Sequence, residues 1–174
     1  MTNTATSPQK PGFQIFRAKD APGLMEAGCM TVTPPSPEEL ERMQKVALTG
    51  EIEGDDVKVL VRIPGFSLAH VWFKKDFPLP LHSHDVDCLY YIIAGSLRLG
   101  TEELGAMDSF FVPADVPYTY KVGPEGVQLL EIRHESHFRY DNHAKGAAFW
   151  EKAAQIADAN REAWKTAKPP VLNA

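Results

Sequence analysis

The hydrophobic period of this 174-residue sequence predicts an all-β fold, an antiparallel sandwich or barrel with one helix before it and one after it. Three observations carry that expectation. Between Val57 and Glu135, short runs of β-branched and aromatic residues alternate with Gly, Pro and Asp turn signals. No helical period separates those runs, which excludes the parallel α/β architectures, whose crossovers need room for a helix. On either side of the region the apolar residues return at helical spacing.

The elements follow in chain order. Residues 1–12 are polar and carry Pro8, Pro11 and Gly12, which predicts a flexible N-terminal arm. Residues 13–174 are then one domain, enough chain for a single core. Phe13 to Phe16 and Met30 to Thr33 are short strand candidates, interrupted by Pro22-Gly23 and Pro34-Pro35. Ser36-Pro37-Glu38-Glu39 supplies an N-cap, a proline at the first helical position and a glutamate at the third, so a helix starts there. Leu40, Met43, Val46 and Ala47 give it one apolar face, and Gly50 ends it. The barrel core, about 57–135, reads as strands at Val57–Ile63, Phe66–Phe73, Cys88–Ala94, Leu97–Leu99, Phe110–Pro113, Tyr118–Val122 and Val127–Arg133. Gly95-Ser96 and Gly123-Pro124-Glu125-Gly126 read as turns between them. Phe149, Trp150, Ala153, Ile156, Ala157 and Trp164 predict a C-terminal helix over about 144–167, stopped by Pro169-Pro170. Its aromatic face suits packing on the barrel or on a second subunit.

Composition narrows the function classes. Lys and Arg total 18 against 23 Asp and Glu, a net charge of -5 with no basic run, which argues against nucleic acid as a partner. No window reaches the roughly 20 apolar residues of a membrane span. Two cysteines, Cys29 and Cys88, are too few for a disulfide framework, and no secretory signal follows Met1, so a cytoplasmic protein is expected.

The densest chemistry lies in Leu81-His82-Ser83-His84-Asp85-Val86-Asp87-Cys88. Two histidines at i and i+2 of an extended segment point to one side, the geometry that lets two imidazoles meet one metal ion. Cys88, Tyr90 and Ile92 share a face, as do Tyr118 and Tyr120. On the last strand Leu130, Ile132 and His134 have one parity and Leu129, Glu131 and Arg133 the other. The first set is more apolar and is assigned inward, which makes His134 a candidate third ligand or acid–base group. Phe66, Leu68, His70 and Trp72 share a face; His70 reads as a satisfied core histidine and Trp72 as a pocket wall. Asp85 and Asp87 read as turn residues, and His137 and His143 as exposed loop residues.

His82-x-His84-x3-Cys88-x6-Gly95, followed by Phe110-Phe111-Val112-Pro113-Ala114-Asp115-Val116-Pro117-Tyr118, resembles the two motifs of the cupin superfamily over roughly Phe66 to Glu135. The resemblance implies a double-stranded β-helix, or jelly-roll, barrel, and a homodimer, since cupins often pair. It also implies one divalent metal ion, Fe, Mn, Ni or Zn, held inside by His82 and His84. The sequence departs from the motifs at named places. Cys88 stands at the glutamate position and Tyr118 at that of the third histidine; Asp76, Met107 and Asp115 stand where the motifs have glycine, and Val122 where they have asparagine. The remaining ligand is therefore open among Cys88, Tyr118 and His134.

The expected function is a mononuclear metal site acting on a small organic molecule, with oxygenase or lyase/isomerase chemistry at open coordination positions. Tyr118 and His134 are the candidate catalytic groups, and Trp72, Tyr90 and Tyr120 the aromatic wall for substrate. The alternative is a small-molecule-binding cupin without a complete metal site and without catalysis.

Overall fold

The computed structural model describes residues 12–50 and 53–171, so nearly all of the expected N-terminal arm lies outside the described residues. Among the described residues nine strands form two sheets: β1 (Met30–Val32), β2 (Asp55–Ile63), β3 (Phe66–Phe73), β4 (His82–His84), β5 (Cys88–Leu99), β6 (Glu102–Gly105), β7 (Ser109–Val112), β8 (Lys121–Arg133) and β9 (Phe138–Asn142). The larger sheet has the order β2-β3-β8-β5-β6, with β7 also paired to β5. The smaller has the order β1-β9-β4. Long β3, β8 and β5 pair antiparallel at the centre of the larger sheet, and their inward residues Val71, Phe73, Tyr90, Ile92, Leu97, Val127 and Leu129 make the core. The hydrogen-bonded sheets do not close on each other; the double sheet of a jelly roll shields its inner faces by packing instead.

Sequence and structure agree at β3, whose bounds match, and at helix α2 (Pro37–Thr49), preceded by the short α1 (Leu24–Ala27). The capping box of α2 is complete: Ser36 Oγ accepts from the Glu39 amide, and Glu39 Oε2 accepts from the Ser36 amide at 2.8 Å. Helix α3 (Ala147–Thr166) buries Trp150, Ala153, Ala157 and Trp164. Trp150 Nε1 donates to Ala144 O at 2.7 Å and Trp164 Nε1 to Lys75 O at 2.9 Å. Its aromatic face is thus used within the protomer.

Two expected turns are not turns. Gly95 (φ +76°) and Gly126 (φ +86°) sit in bulges that bend β5 and β8 while each continues as one strand. Backbone approach requires the glycine: a Cβ at position 95 would come 2.1 Å from Gly126 O. Phe13 to Phe16 is not a strand. Strands β6 and β9 were not expected, and β9 matters because it lies beside β4.

Among the described residues three that are not glycine adopt positive φ: Asp76 (61°), Met107 (76°) and Asp115 (61°). They are the three positions where the resemblance places glycine. The backbone therefore keeps the left-handed turns of the motifs although the side chains have changed, at a cost of about 1–2 kcal/mol each for a residue with a Cβ.

Gly95→Ala is expected to lose about 3 kcal/mol or more in urea unfolding, because both φ and the Gly126 carbonyl oppose it. Met107→Gly is expected to gain roughly 0.5–1 kcal/mol, the strain relieved exceeding the added freedom of the unfolded chain. A tolerated Gly95→Ala or a destabilised Met107→Gly would contradict this reading of the turns.

Candidate functional site inside the double sheet

Strand β4 delivers two histidines to the interior. His82 and His84 are 5% and 8% exposed, with ring centroids 5.2 Å apart. Each ring is fixed by a carbonyl: His82 Nδ1 donates to Pro80 O at 2.8 Å and His84 Nδ1 to Arg139 O at 3.0 Å. A carbonyl only accepts, so both protons are on Nδ1 and both Nε2 atoms keep a lone pair. Asp85 supports the second anchor by accepting from the Arg139 amide at 2.6 Å. Asp87 accepts from the Ala114 amide at 2.8 Å and ties β7's end to the histidine segment.

Aromatic rings enclose the pair. Tyr118 lies 4.4 Å from the His82 ring, Tyr140 stacks on its plane at 5.2 Å, and Phe138 meets His84 edge-on at 5.1 Å. The backbone of Tyr118 bridges that of His82 in both directions, at 2.8 and 3.1 Å, so its side chain is held beside the imidazole. The hydroxyls of Tyr118 and Tyr90 share a hydrogen bond. Tyr90 is fully buried and stacks on Phe110 at 4.5 Å.

Strand β8 supplies an ion pair. Arg133 Nη1 lies 2.8 Å from Glu131 Oε2, with the arginine side chain 2% and the glutamate side chain 15% exposed. The guanidinium lies 4.0 Å over the Phe138 ring, which is the ring that also touches His84. Arg133 Nε is buried without a hydrogen-bond partner among the described residues.

Burial sets the charge states. Desolvation pushes His82 down to about 4 and also lowers His84, so both are neutral at pH 7. Desolvation pushes the Cys88 thiol up to about 12 and raises Tyr90 and Tyr118 well above the phenol range. Burial opposes the charge on Glu131, but the adjacent Arg133 guanidinium outweighs it and holds the carboxyl low. The interior at neutral pH therefore holds neutral imidazoles, a neutral thiol and phenols, and one charged pair.

No family model matches the chain, and no curated protein matches it. Solved structures do. The polyketide cyclase RemF from Streptomyces resistomycificus superposes with a TM-score of 0.50 at 19% identity, over 61% of this chain and 82% of its own. The fold is that of the cupin superfamily. An RmlC-like cupin from Shewanella frigidimarina matches at 26% identity over 47% of this chain and 76% of its own, with a TM-score of 0.43. A protein of unknown function with a cupin-like fold from Ralstonia eutropha matches at 18% identity over 70% of this chain and 83% of its own, with a TM-score of 0.44.

Within this cupin interior, His82, His84, Cys88, Tyr90 and Tyr118 are all buried, as is Tyr120, which packs against Phe73 and Phe110. Two candidates are elsewhere. His134 is exposed, because the inward parity of β8 is Leu129, Glu131 and Arg133. Trp72 is on the outer face of β3, beneath Lys74 Nζ at 4.8 Å, while Ala69, Val71 and Phe73 point inward. His70, also outward, bonds Gln128 Oε1 at 2.9 Å; His143 is half-buried and bonds Ser83 Oγ at 2.8 Å. Sequence reasoning missed Glu131, Arg133, Phe138 and Tyr140. The signals were opposite charges at i and i+2 of a strand, and the aromatic–charged alternation of Phe138-Arg139-Tyr140-Asp141.

The donor set was tested against the expected metal. Two imidazole nitrogens fit, but among the described residues no third His, Cys, Asp or Glu stands with them. Without an ion, burial holds Cys88 and Tyr118 in their protonated forms, and Arg133 adds positive charge to the same interior. The described side chains do not fit a metal centre held by three or four protein ligands.

The buried imidazoles make stability pH-dependent. His82 binds its proton more weakly folded than unfolded, so the unfolded state takes up protons first and stability falls as pH drops from about 6.5 to about 4. Asp55, raised by burial to about 6, has the opposite slope over the same range. His82→Asn is expected to lack about 3 kcal/mol of the acid destabilisation shown by the wild type between those pH values, measured by urea unfolding at each pH. Equal acid sensitivity in both proteins would place a charged imidazole at this position.

Proposed function

We propose that the cupin interior binds a small oxygenated organic molecule, with Arg133 contacting an acceptor oxygen, a carboxylate or the oxygen of a conjugated carbonyl. The observation that carries this reading is the under-satisfied guanidinium. Arg133 has a single carboxylate partner and an orphaned Nε–H at 2% exposure. A guanidinium has five N–H donors in a planar fork, and leaving buried donors unfilled costs about 1–3 kcal/mol each. A ligand oxygen in that fork would recover the deficit. Glu131, more exposed than its partner, marks the side from which solvent reaches the pair.

Around that contact each group has a part. Tyr118 and Tyr90 are phenol donors for a second ligand oxygen. The Nε2 atoms of His82 and His84 are neutral acceptors, suited to taking a proton from a carbon next to the carbonyl that Arg133 polarises. The electron pair of that C–H bond would move to the carbonyl oxygen, and return of the proton at another carbon completes an isomerisation. Tyr140, Phe138 and Tyr118 would cover the faces of a flat molecule. This is isomerase chemistry without a metal in the step. The same set without proton transfer is a binding protein.

Salicylate and its neutral counterpart salicyl alcohol distinguish the contact, read by intrinsic fluorescence. Salicylate is expected to bind at least tenfold tighter than the alcohol, and Arg133→Lys to erase most of that preference, since it keeps the charge and loses the fork. Equal binding of both compounds, or a preference that survives in Arg133→Lys, would sink the proposal.

A second reading is favoured by one observation, the carbonyl anchors that leave both Nε2 lone pairs free. In it His82 and His84 alone hold Fe, Mn, Ni or Zn, which would supply Lewis-acid or oxygen chemistry. Near-stoichiometric metal by inductively coupled plasma mass spectrometry, lost in both His82→Ala and His84→Ala, would support it. Metal-free protein after reconstitution with each ion would remove it.

A further inference from the structure

We propose that Arg139 is a positioning residue for His84, and that its guanidinium acts by binding together the segments that hold the imidazole. The inference rests on the reading of His84 Nε2 as an atom that takes a proton, and it names what aims that atom.

Separate stretches of chain meet at this histidine. Its ring donates to the Arg139 carbonyl of β9 at 3.0 Å, and its own carbonyl accepts from the Asp115 amide, in the connection between β7 and β8, at 2.6 Å. Asp85, the next residue along, accepts from the Arg139 amide at 2.6 Å. The Arg139 side chain links these stretches to one another. It lies on the solvent side of β9, 45% exposed, while Phe138 and Tyr140 face the histidines. Nη2 lies 3.6 Å from Asp115 Oδ1, Nη1 lies 3.5 Å from Asp85 Oδ2, and Nε donates to Asp141 Oδ2 at 2.8 Å. Asp141 in turn accepts from the hydroxyl of Thr33, the residue after β1. One exposed ion pair contributes little, but a planar fork serving several carboxylates fixes their mutual geometry, which the single compact charge of a lysine does not.

Asp115 ties the device to this chain's own sequence. It adopts φ +61° at a position where the cupin resemblance places glycine. Glycine would make the same turn without strain, and strain of this kind persists where the surroundings hold it. What the aspartate adds is a carboxylate that faces Arg139.

The arrangement acts on one imidazole and not on the other. His82 takes its anchor from the Pro80 carbonyl, outside the Arg139 network. When the Arg139 carbonyl turns away, His84 Nδ1 loses its acceptor. The neutral ring then carries its proton on either nitrogen, and Nε2 keeps its lone pair for only part of the time.

The test reads the tautomers directly, from nitrogen-15 spectra of the histidine rings in the full chain at neutral pH without ligand, assigned through His82→Asn and His84→Asn. The wild type is expected to carry the proton on Nδ1 in both rings. Arg139→Met keeps the backbone carbonyl and is expected to bring the two His84 nitrogen signals together by roughly a fifth of their separation or more, with those of His82 unmoved. Arg139→Lys is expected to fall between the two proteins. Asp115→Gly relieves the backbone, so it keeps the fold, and is expected to shift His84 in the same direction. His84 signals that stay in place in Arg139→Met or in Asp115→Gly, or shifts of His82 as large as those of His84, would overturn the proposal. Salicylate binding on the same samples keeps the two readings apart: a wild type that binds none, while His84 responds as stated, would remove the ligand reading and uphold the positioning.

Discussion

A guanidinium held at 2% exposure between two sheets must keep its carboxylate, and Arg133 keeps Glu131 two residues away on the same strand. Much of the interior is arranged around that requirement. The pair shares the inward face of β8 with the fully buried Val127 and Leu129, whose burial holds that facing against β3 and β5. Phenols, a thiol and imidazoles share its low-dielectric surroundings. Phe138 carries the influence onward, one ring touching both the guanidinium and His84. Breaking such a pair by removing one member typically costs about 3–5 kcal/mol, whereas replacing both with apolar groups is often neutral or stabilising. Stability alone therefore does not account for keeping it, which is the ground on which a ligand is proposed for it.

The histidines show the same economy of cause. Strand alternation sends His82 and His84 inward, and carbonyls of Pro80 and Arg139 set their tautomers. Desolvation keeps both rings neutral. Lone pairs, phenol protons and an unfilled guanidinium donor are thus assembled within one aromatic enclosure. The cupin fold supplies the frame, and the substitutions at Cys88 and Tyr118 change what the frame contains.

The fold was legible because its signals are local. The capping box at Ser36 fixes α2, and the β-branched runs fix β2 and β3 to within two residues of their observed bounds. The glycines at 95, 123 and 126 misled because a glycine demanded by a bulge looks the same in sequence as one demanded by a turn. The histidine pair was legible from spacing alone. The facing of β8 was not, because counting apolar residues assumes that only one side of a sheet is apolar. Here Leu130 and Ile132 belong to an apolar outer face, while the polar Glu131 and Arg133 neutralise each other inside. His134 was misplaced by that assumption, and the outer position of Trp72 on β3 has the same origin.

The most direct test of the account is a double-mutant cycle on the ion pair, with urea unfolding and salicylate binding measured on the same proteins. Glu131→Leu and Arg133→Met are each expected to lose about 3 kcal/mol or more, and the double variant to return to within about 1 kcal/mol of the wild type while binding no salicylate. A double variant whose loss equals the sum of the two single losses, or one that still binds salicylate as the wild type does, would contradict the claim that the pair is kept for a ligand.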